Sequence, residues 1–213
     1  MLMKAEREEI VQYCRKLITS GLTRGTGGNI SICDRSRGWM AISPSGMDYF
    51  TMVPEDVVVM DLNGNVVEGC RKPSVEHAMH TIFYTDREDV NAVVHDHAAA
   101  CSTMAALRWP LPAVNYLVAL AGGPCVPCAE YATFATPELA KAALEGMGKG
   151  YACFLAGHGF LSAAPSLSMA FNIAEECERC SDIYLRAKAV GEPVAIPDEK
   201  VYELLKMAKK YGQ

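Results

Sequence analysis

The sequence predicts an α/β protein in which helices cover a mixed, mostly antiparallel sheet. Three observations lead there. Short apolar stretches divided by turn residues crowd residues 30–67, with Asn63-Gly64 placed to turn a hairpin. From residue 74 onward, strand-like and helix-like patterns alternate. No linker-like, repeated or low-complexity segment interrupts the 213 residues, so residues 1–213 are expected to form a single domain, long enough for a substantial core.

The elements follow in order. Ile10, Val11, Cys14, Leu17 and Ile18 recur at helical spacing over residues 4–20, and Gly21 suits the position just past a helix end. Strands are expected around 30–33, 39–43 and 57–61, the last turning through Asn63-Gly64 into Val66-Val67. Ser74 is a good N-cap for a helix with Met79, Ile82 and Phe83 on one side. Ala92-Val93-Val94-His95-Asp96-His97 reads as a strand, and an alanine-rich helix follows over 98–107. Pro137 fits the first position of a helix capped by Thr136 and ending near Gly146. A strand over 151–155 leads to Ala156-Gly157-His158-Gly159, and a long helix over 166–189 is stopped by Gly191 and Pro193. Pro197 begins a last helix with the apolar stripe Val201, Leu204, Leu205 and Ala208, which Tyr211 ends.

Composition removes several functions. A net charge of −5 and the lack of a Lys/Arg cluster argue against nucleic acid, because phosphate-backbone binders need a basic face. No apolar run is long enough to span a bilayer, so no membrane partner is expected. The chain opens Met1-Leu2-Met3-Lys4-Ala5-Glu6, charged at once and without the apolar segment of a signal peptide, so a cytoplasmic protein is expected. Nine scattered cysteines should then stay reduced. Cys125/Cys128 and Cys177/Cys180 are both C-x-x-C pairs, but the second lies inside a helical pattern and the separation is too long for a zinc ribbon.

Three of the five histidines carry the chemistry. Side chains alternate along a strand, so His95 and His97 project from one face and can grip one ion together. His158 adds a third imidazole after the apolar run of residues 151–155. Neutral imidazole suits zinc, and three protein ligands leave the open fourth position of a catalytic site. The plain alternative is a pair of histidines at a strand end. Gly25-Thr26-Gly27-Gly28-Asn29 can turn successive N–H groups inward as an anion nest, although such a segment is more often only a turn; Ser43-Pro44-Ser45-Gly46 is equally ambiguous. After Pro73, the helix begun by Ser74 offers unpaired N–H donors to a phosphate and carries Glu76 in its first turn, where a glutamate also simply complements the helix dipole. His77 and His80 lie on that helix and read as ordinary helix histidines.

Taken jointly, the motifs resemble the class II aldolase/adducin family through nearly the whole chain. They are Gly-Thr-Gly-Gly-Asn-Ile-Ser at 25–31, Ser-Pro-Ser-Gly at 43–46, Lys-Pro-Ser-Val-Glu at 72–76, Val-Val-His-Asp-His at 93–97, Pro-Ala-Val-Asn-Tyr at 112–116, Ala-Gly-Gly at 121–123, Tyr-Ala-Thr-Phe-Ala-Thr at 131–136, Gly-His-Gly at 157–159 and Lys-Tyr-Gly at 210–212. The resemblance implies a three-layer α/β/α domain and a metal-dependent aldehyde-lyase. Such an enzyme would cleave L-fuculose 1-phosphate, or a related deoxy sugar phosphate, to dihydroxyacetone phosphate and an aldehyde.

It also implies one zinc ion per subunit on His95, His97 and His158, with Glu76 as a displaceable fourth ligand that becomes the acid/base. Phosphate would be held by Gly28, Asn29, Ser45, Gly46, Ser74 and Val75, and Phe134 would line the aldehyde pocket. A homotetramer is implied, with Tyr116 and Tyr211 reaching a neighbour's site, although helical spacing alone makes Tyr211 an aromatic anchor. One departure stands out: Val75 replaces the second serine of the aldolase motif and keeps only its N–H for phosphate. The alternatives within the fold are a pentulose-5-phosphate 4-epimerase, in which the position of Glu76 resembles an aspartate, and a methylthioribulose-1-phosphate dehydratase. A non-enzymatic, adducin-like interaction module lacks the metal ligands retained here.

Overall fold

A computed structural model describes residues 1–208 of the chain. The first amphipathic stripe forms α1 (Lys4–Thr19) and buries Ile10, Val11, Cys14 and Leu17. Four strands follow, β1 (Asn29–Asp34), β2 (Trp39–Ile42), β3 (Val58–Asp61) and β4 (Val66–Glu68). The middle of the chain supplies α2 (His77–Asp86), β5 (Ala92–Asp96), α3 (Ala99–Leu107) and the short strands β6 (Leu111–Pro112), β7 (Cys125–Val126) and β8 (Cys128–Ala129). It ends in α4 (Pro137–Met147), β9 (Ala152–Leu155), β10 (Gly159–Ala164), α5 (Leu167–Val190) and α6 (Asp198–Ala208).

Eight strands form one sheet in the order β4-β3-β2-β1-β5-β10-β9-β8, antiparallel throughout except for the β8/β9 pair at one edge. Period two then sorts the apolar side chains into two cores. Ile30, Val59, Ala92, Val94 and Phe160 face the side packed by α1, α3 and α5; Met40, Val58, Val93, Leu155 and Leu161 face the side of α2 and α4. The result is the expected three-layer α/β/α arrangement. β5 lies centrally between β1 and β10, and its alternation puts His95 on the same side as Val93, toward α2.

Local signals explain most boundaries. Thr136 Oγ accepts the N–H of Leu139 at 3.3 Å with Pro137 in the first turn, and Ser166 Oγ accepts that of Met169 at 3.3 Å at the start of α5. Two expectations need correction. The helix expected after Ser74 begins at His77 with Glu76 as N-cap, because Ser74 Oγ accepts the Glu76 N–H at 3.3 Å and makes a local turn ahead of the helix. The chain after His158 is not a simple lead into α5: it forms β10, whose six residues are all buried and show no alternation. His158 itself sits in the β9–β10 turn.

Candidate active site

The end of β5, the β9–β10 turn and the start of α2 converge on one spot. The His95 Nδ1–H donates to the Phe160 carbonyl at 2.8 Å, so the bare Nε2 points into the site. That nitrogen lies 3.3 Å from Glu76 Oε2, and His158 Nε2 lies 3.4 Å from Glu76 Oε1. The three imidazole rings stand 4.7, 4.8 and 5.3 Å apart between centroids, and their ligand atoms all fall within 4.8 Å of one another. Burial holds the pKa of His95 far down; burial and then the His158 charge lower that of His97.

Two glycines allow this crowding. A Cβ on Gly28, where φ is +73°, would stand 2.6 Å from the His95 carbonyl oxygen. One on Gly159 would meet the Asp96 carbonyl oxygen at 2.5 Å and the His97 ring at 2.7 Å.

The set fits a metal ion. Glu76 Oε1 and His95 Nε2 are buried without a hydrogen-bond partner, although unpartnered buried polar atoms are costly. Ligands about 2.0–2.1 Å from a tetrahedral ion stand about 3.3–3.4 Å from each other, which is the spacing Glu76 keeps from His95 and His158. Among the described residues, no cysteine joins such a group: all nine thiols are free, and Cys177 and Cys180 are buried on α5.

Two recesses border the histidines. A cavity of about 130 Å³ is lined by Gly28, Asn29, Ser45, Gly46, Ser74 and Val75, together with Glu76 and His97. Its rim is tied together by the Ser74 N–H donating to the Ser43 carbonyl at 3.1 Å and the Ser45 N–H donating to that of Lys72 at 3.0 Å. Tyr49 braces the glycine turn by donating its hydroxyl to the Gly28 carbonyl at 2.7 Å. A larger bay of about 430 Å³ opens beside it, with Phe134, Tyr131 and Ala132 opposite Val75, Glu76, His97 and His158. The expected phosphate residues and Phe134 are thus brought together around the histidines.

Tyr116 is not. It is 59% exposed, at the start of the 3₁₀ turn Tyr116–Ala121, and lines a separate apolar groove with Leu117, Leu120, Leu204, Leu205 and Met207. Tyr211 lies outside the described residues. Sequence reasoning missed Tyr131 and Ala132, although both stand in the 131–136 motif. It also took His80 for an ordinary histidine. His80 is fully buried and bonded on both nitrogens, to Ser31 Oγ at 2.7 Å and to Asn29 Oδ1.

Fold and site together define a class: α/β/α proteins that gather three histidines and a carboxylate at the end of a central antiparallel strand, beside a small pocket lined by glycines and serines. A family model described as the Class II Aldolase and Adducin N-terminal domain matches residues 8–185, and the chain belongs to this family. It is 53% identical over 213 residues, all of both chains, to the 5-deoxy-D-ribulose 1-phosphate aldolase of Bacillus thuringiensis serovar kurstaki. It is 37% identical over 205 residues to the L-fuculose phosphate aldolase of Escherichia coli O6:H1, covering 96% of this chain and 94% of that one. A solved structure of an L-fuculose 1-phosphate aldolase superposes with a TM-score of 0.95 at 47% identity, over 98% of both chains. The protein is an enzyme of the aldehyde-lyase class, and the adducin-like module is set aside.

Proposed function

We propose that this protein is a zinc-dependent aldolase that cleaves 5-deoxyribulose 1-phosphate to dihydroxyacetone phosphate and acetaldehyde. The observation that carries the chemistry is the bare His95 Nε2 and the unpartnered Glu76 Oε1 converging with His97 and His158. The choice of ketose is supported by the full-length relative at 53% identity and by the apolar wall of Phe134, Ala132 and Val75, which suits a terminal methyl. It narrows the expectation of L-fuculose 1-phosphate or a related deoxy sugar phosphate.

In this reading His95, His97 and His158 hold zinc, with Glu76 as the ligand that substrate displaces. Bound there, zinc would supply Lewis-acid stabilisation of the charge that develops as the bond between the third and fourth carbons breaks. Gly28, Asn29, Ser45, Gly46, Ser74 and Val75 hold the phosphate, Gly28, Gly46 and Val75 through N–H groups and Ser45 and Ser74 through hydroxyls, since the N–H groups of these serines already bond to carbonyls. Glu76, protonated from solvent once freed, gives that proton to the carbon left on the three-carbon fragment, balancing the one lost by the fourth-carbon hydroxyl, and dihydroxyacetone phosphate leaves. Phe134 packs against the aldehyde fragment and keeps water from it. Tyr116 and Tyr211 move the proton at the aldehyde oxygen of a neighbouring subunit in a homotetramer; the exposed apolar groove beside Tyr116 supports such an assembly. The chain acts as one domain in the cytoplasm, in keeping with nine unpaired thiols.

The test is release of dihydroxyacetone phosphate from 5-deoxyribulose 1-phosphate, with L-fuculose 1-phosphate alongside. Faster cleavage of the first supports the proposal; rearrangement or dehydration of either without release of the three-carbon product would overturn it in favour of an epimerase or dehydratase.

A further inference from the structure

Behind Glu76 runs a chain of four buried polar side chains, three of which the catalytic scheme leaves unused. Asn29 Nδ2 donates to Glu76 Oε2 at 2.9 Å, and Asn29 Oδ1 faces His80 Nε2. His80 Nδ1 stands 2.7 Å from Ser31 Oγ, which stands 2.5 Å from the Tyr84 hydroxyl. Tyr84, Ser31, His80 and Asn29 come from α2 and β1, and each is at most 5% exposed.

The chemistry of the ends fixes the direction of every bond. An ionised carboxylate only accepts, so the Asn29 amide must present its nitrogen to Glu76 and its oxygen to His80. That oxygen only accepts, so the imidazole proton sits on Nε2 and leaves Nδ1 to accept from Ser31. Ser31, having donated, accepts from Tyr84. Burial, with the neighbouring His77 adding to it, pushes the His80 pKa down to about 3, in keeping with a neutral ring.

We propose that His80 is a positioning residue for Glu76: locked as the Nε2–H tautomer by Ser31 and Tyr84, it holds the Asn29 amide so that Oε2 of Glu76 is pinned and Oε1 stays free for its work in the site. Oε1 is the oxygen left without a hydrogen bond, 3.4 Å from His158. A rotated Asn29 amide would set its carbonyl against the carboxylate and turn Glu76 away. The proposal rests on Glu76 being the working carboxylate.

Long-range proton–nitrogen spectra of the metal-free protein at neutral pH read the tautomer directly. A neutral His80 ring protonated on Nε2 is expected; a proton on Nδ1, or a cationic ring, overturns the proposal. The variants His80→Phe and Ser31→Ala should weaken zinc affinity, measured by chelator competition, and lower kcat by about 10–100-fold, the range for partners that orient metal ligands. KM for the phosphate ester should move far less. His80→Gln, whose amide still offers one donor and one acceptor, should recover part of both losses. Solvent hydrogen exchange into dihydroxyacetone phosphate, the half-reaction assigned to Glu76, separates the two readings. Exchange lost in Glu76→Gln but unchanged in folded Ser31→Ala and His80→Phe would overturn the role of His80. Exchange unchanged in Glu76→Gln would overturn the role of Glu76 itself.

Discussion

His95 divides its work between two nitrogens, and this makes it the most sensitive single residue of the site. Nδ1 is spent on the Phe160 carbonyl and Nε2 is left bare beside Glu76. His95→Ala should remove metal retention and cleavage together, measured as metal content per chain and rate of dihydroxyacetone phosphate release. A variant that keeps its metal would show that the other histidines suffice. At Val75, 55% exposed on the wall shared by both recesses, Val75→Ser should add one charge-assisted hydrogen bond to phosphate. Such a bond to a charged acceptor is worth about 1.5–3 kcal/mol, hence a roughly tenfold or greater fall in the inhibition constant for inorganic phosphate or dihydroxyacetone phosphate. An unchanged constant would mean that the valine does not tune the site. His95 and His97 were legible in the sequence because strand alternation pairs them, whereas Val75 stood out only through the family resemblance. The two-sided bonding of His80 was not legible, since its partners Ser31 and Asn29 lie about fifty positions away in the chain.

Among the elements, α3 has an unusual start: its N-cap, Ala98, has no capping side chain, and the cap comes from another helix. Glu178 on α5 accepts the N–H groups of Ala100 and Cys101 at 2.9 and 2.8 Å. These bonds to a carboxylate fasten the helix that follows the histidine strand onto α5. Glu178→Ala should cost about 1–3 kcal/mol in denaturant unfolding, more than the roughly 1 kcal/mol expected of Thr136→Ala at the conventional cap of α4. Equal losses would show that the long-range cap adds nothing. Such a cap cannot be read from local sequence, whereas those of Thr136 and Ser166 can, because they act three residues ahead. The same distinction explains β10. Leu161 and Ala163 face one core and Phe160 and Ala164 the other, so its two faces are equally apolar and period two leaves no trace. The start of α2 was misplaced for a related reason: Ser74 is a good cap by type, but its hydroxyl closes a tighter turn.

For the whole molecule, the buried neutral imidazole of His80 links stability to pH. Unfolded, the ring takes a proton below its ordinary value of 6.5; folded, it resists until about 3. Its contribution is therefore complete above about pH 6.5 and is lost as pH falls toward 3, by at most about 1.4 kcal/mol per pH unit. Urea unfolding from pH 7 to 4 should show a shallower decline in His80→Gln than in the wild type, since every other group titrates in both; identical slopes would contradict it. The apolar groove of Tyr116, Leu120 and Leu204 belongs to the same scale. If it is a subunit contact, Leu120→Glu should yield smaller species in sedimentation velocity and lose turnover while the monomer stays folded. A variant that keeps the wild-type assembly would assign the groove to something else. The central claim, that three histidines and Glu76 hold the ion on which cleavage depends, is tested most directly by stripping the protein with chelator and returning zinc while following dihydroxyacetone phosphate release from 5-deoxyribulose 1-phosphate. The expected result is loss of cleavage on stripping and recovery that saturates at one zinc per chain. Full cleavage by the metal-free protein would contradict it.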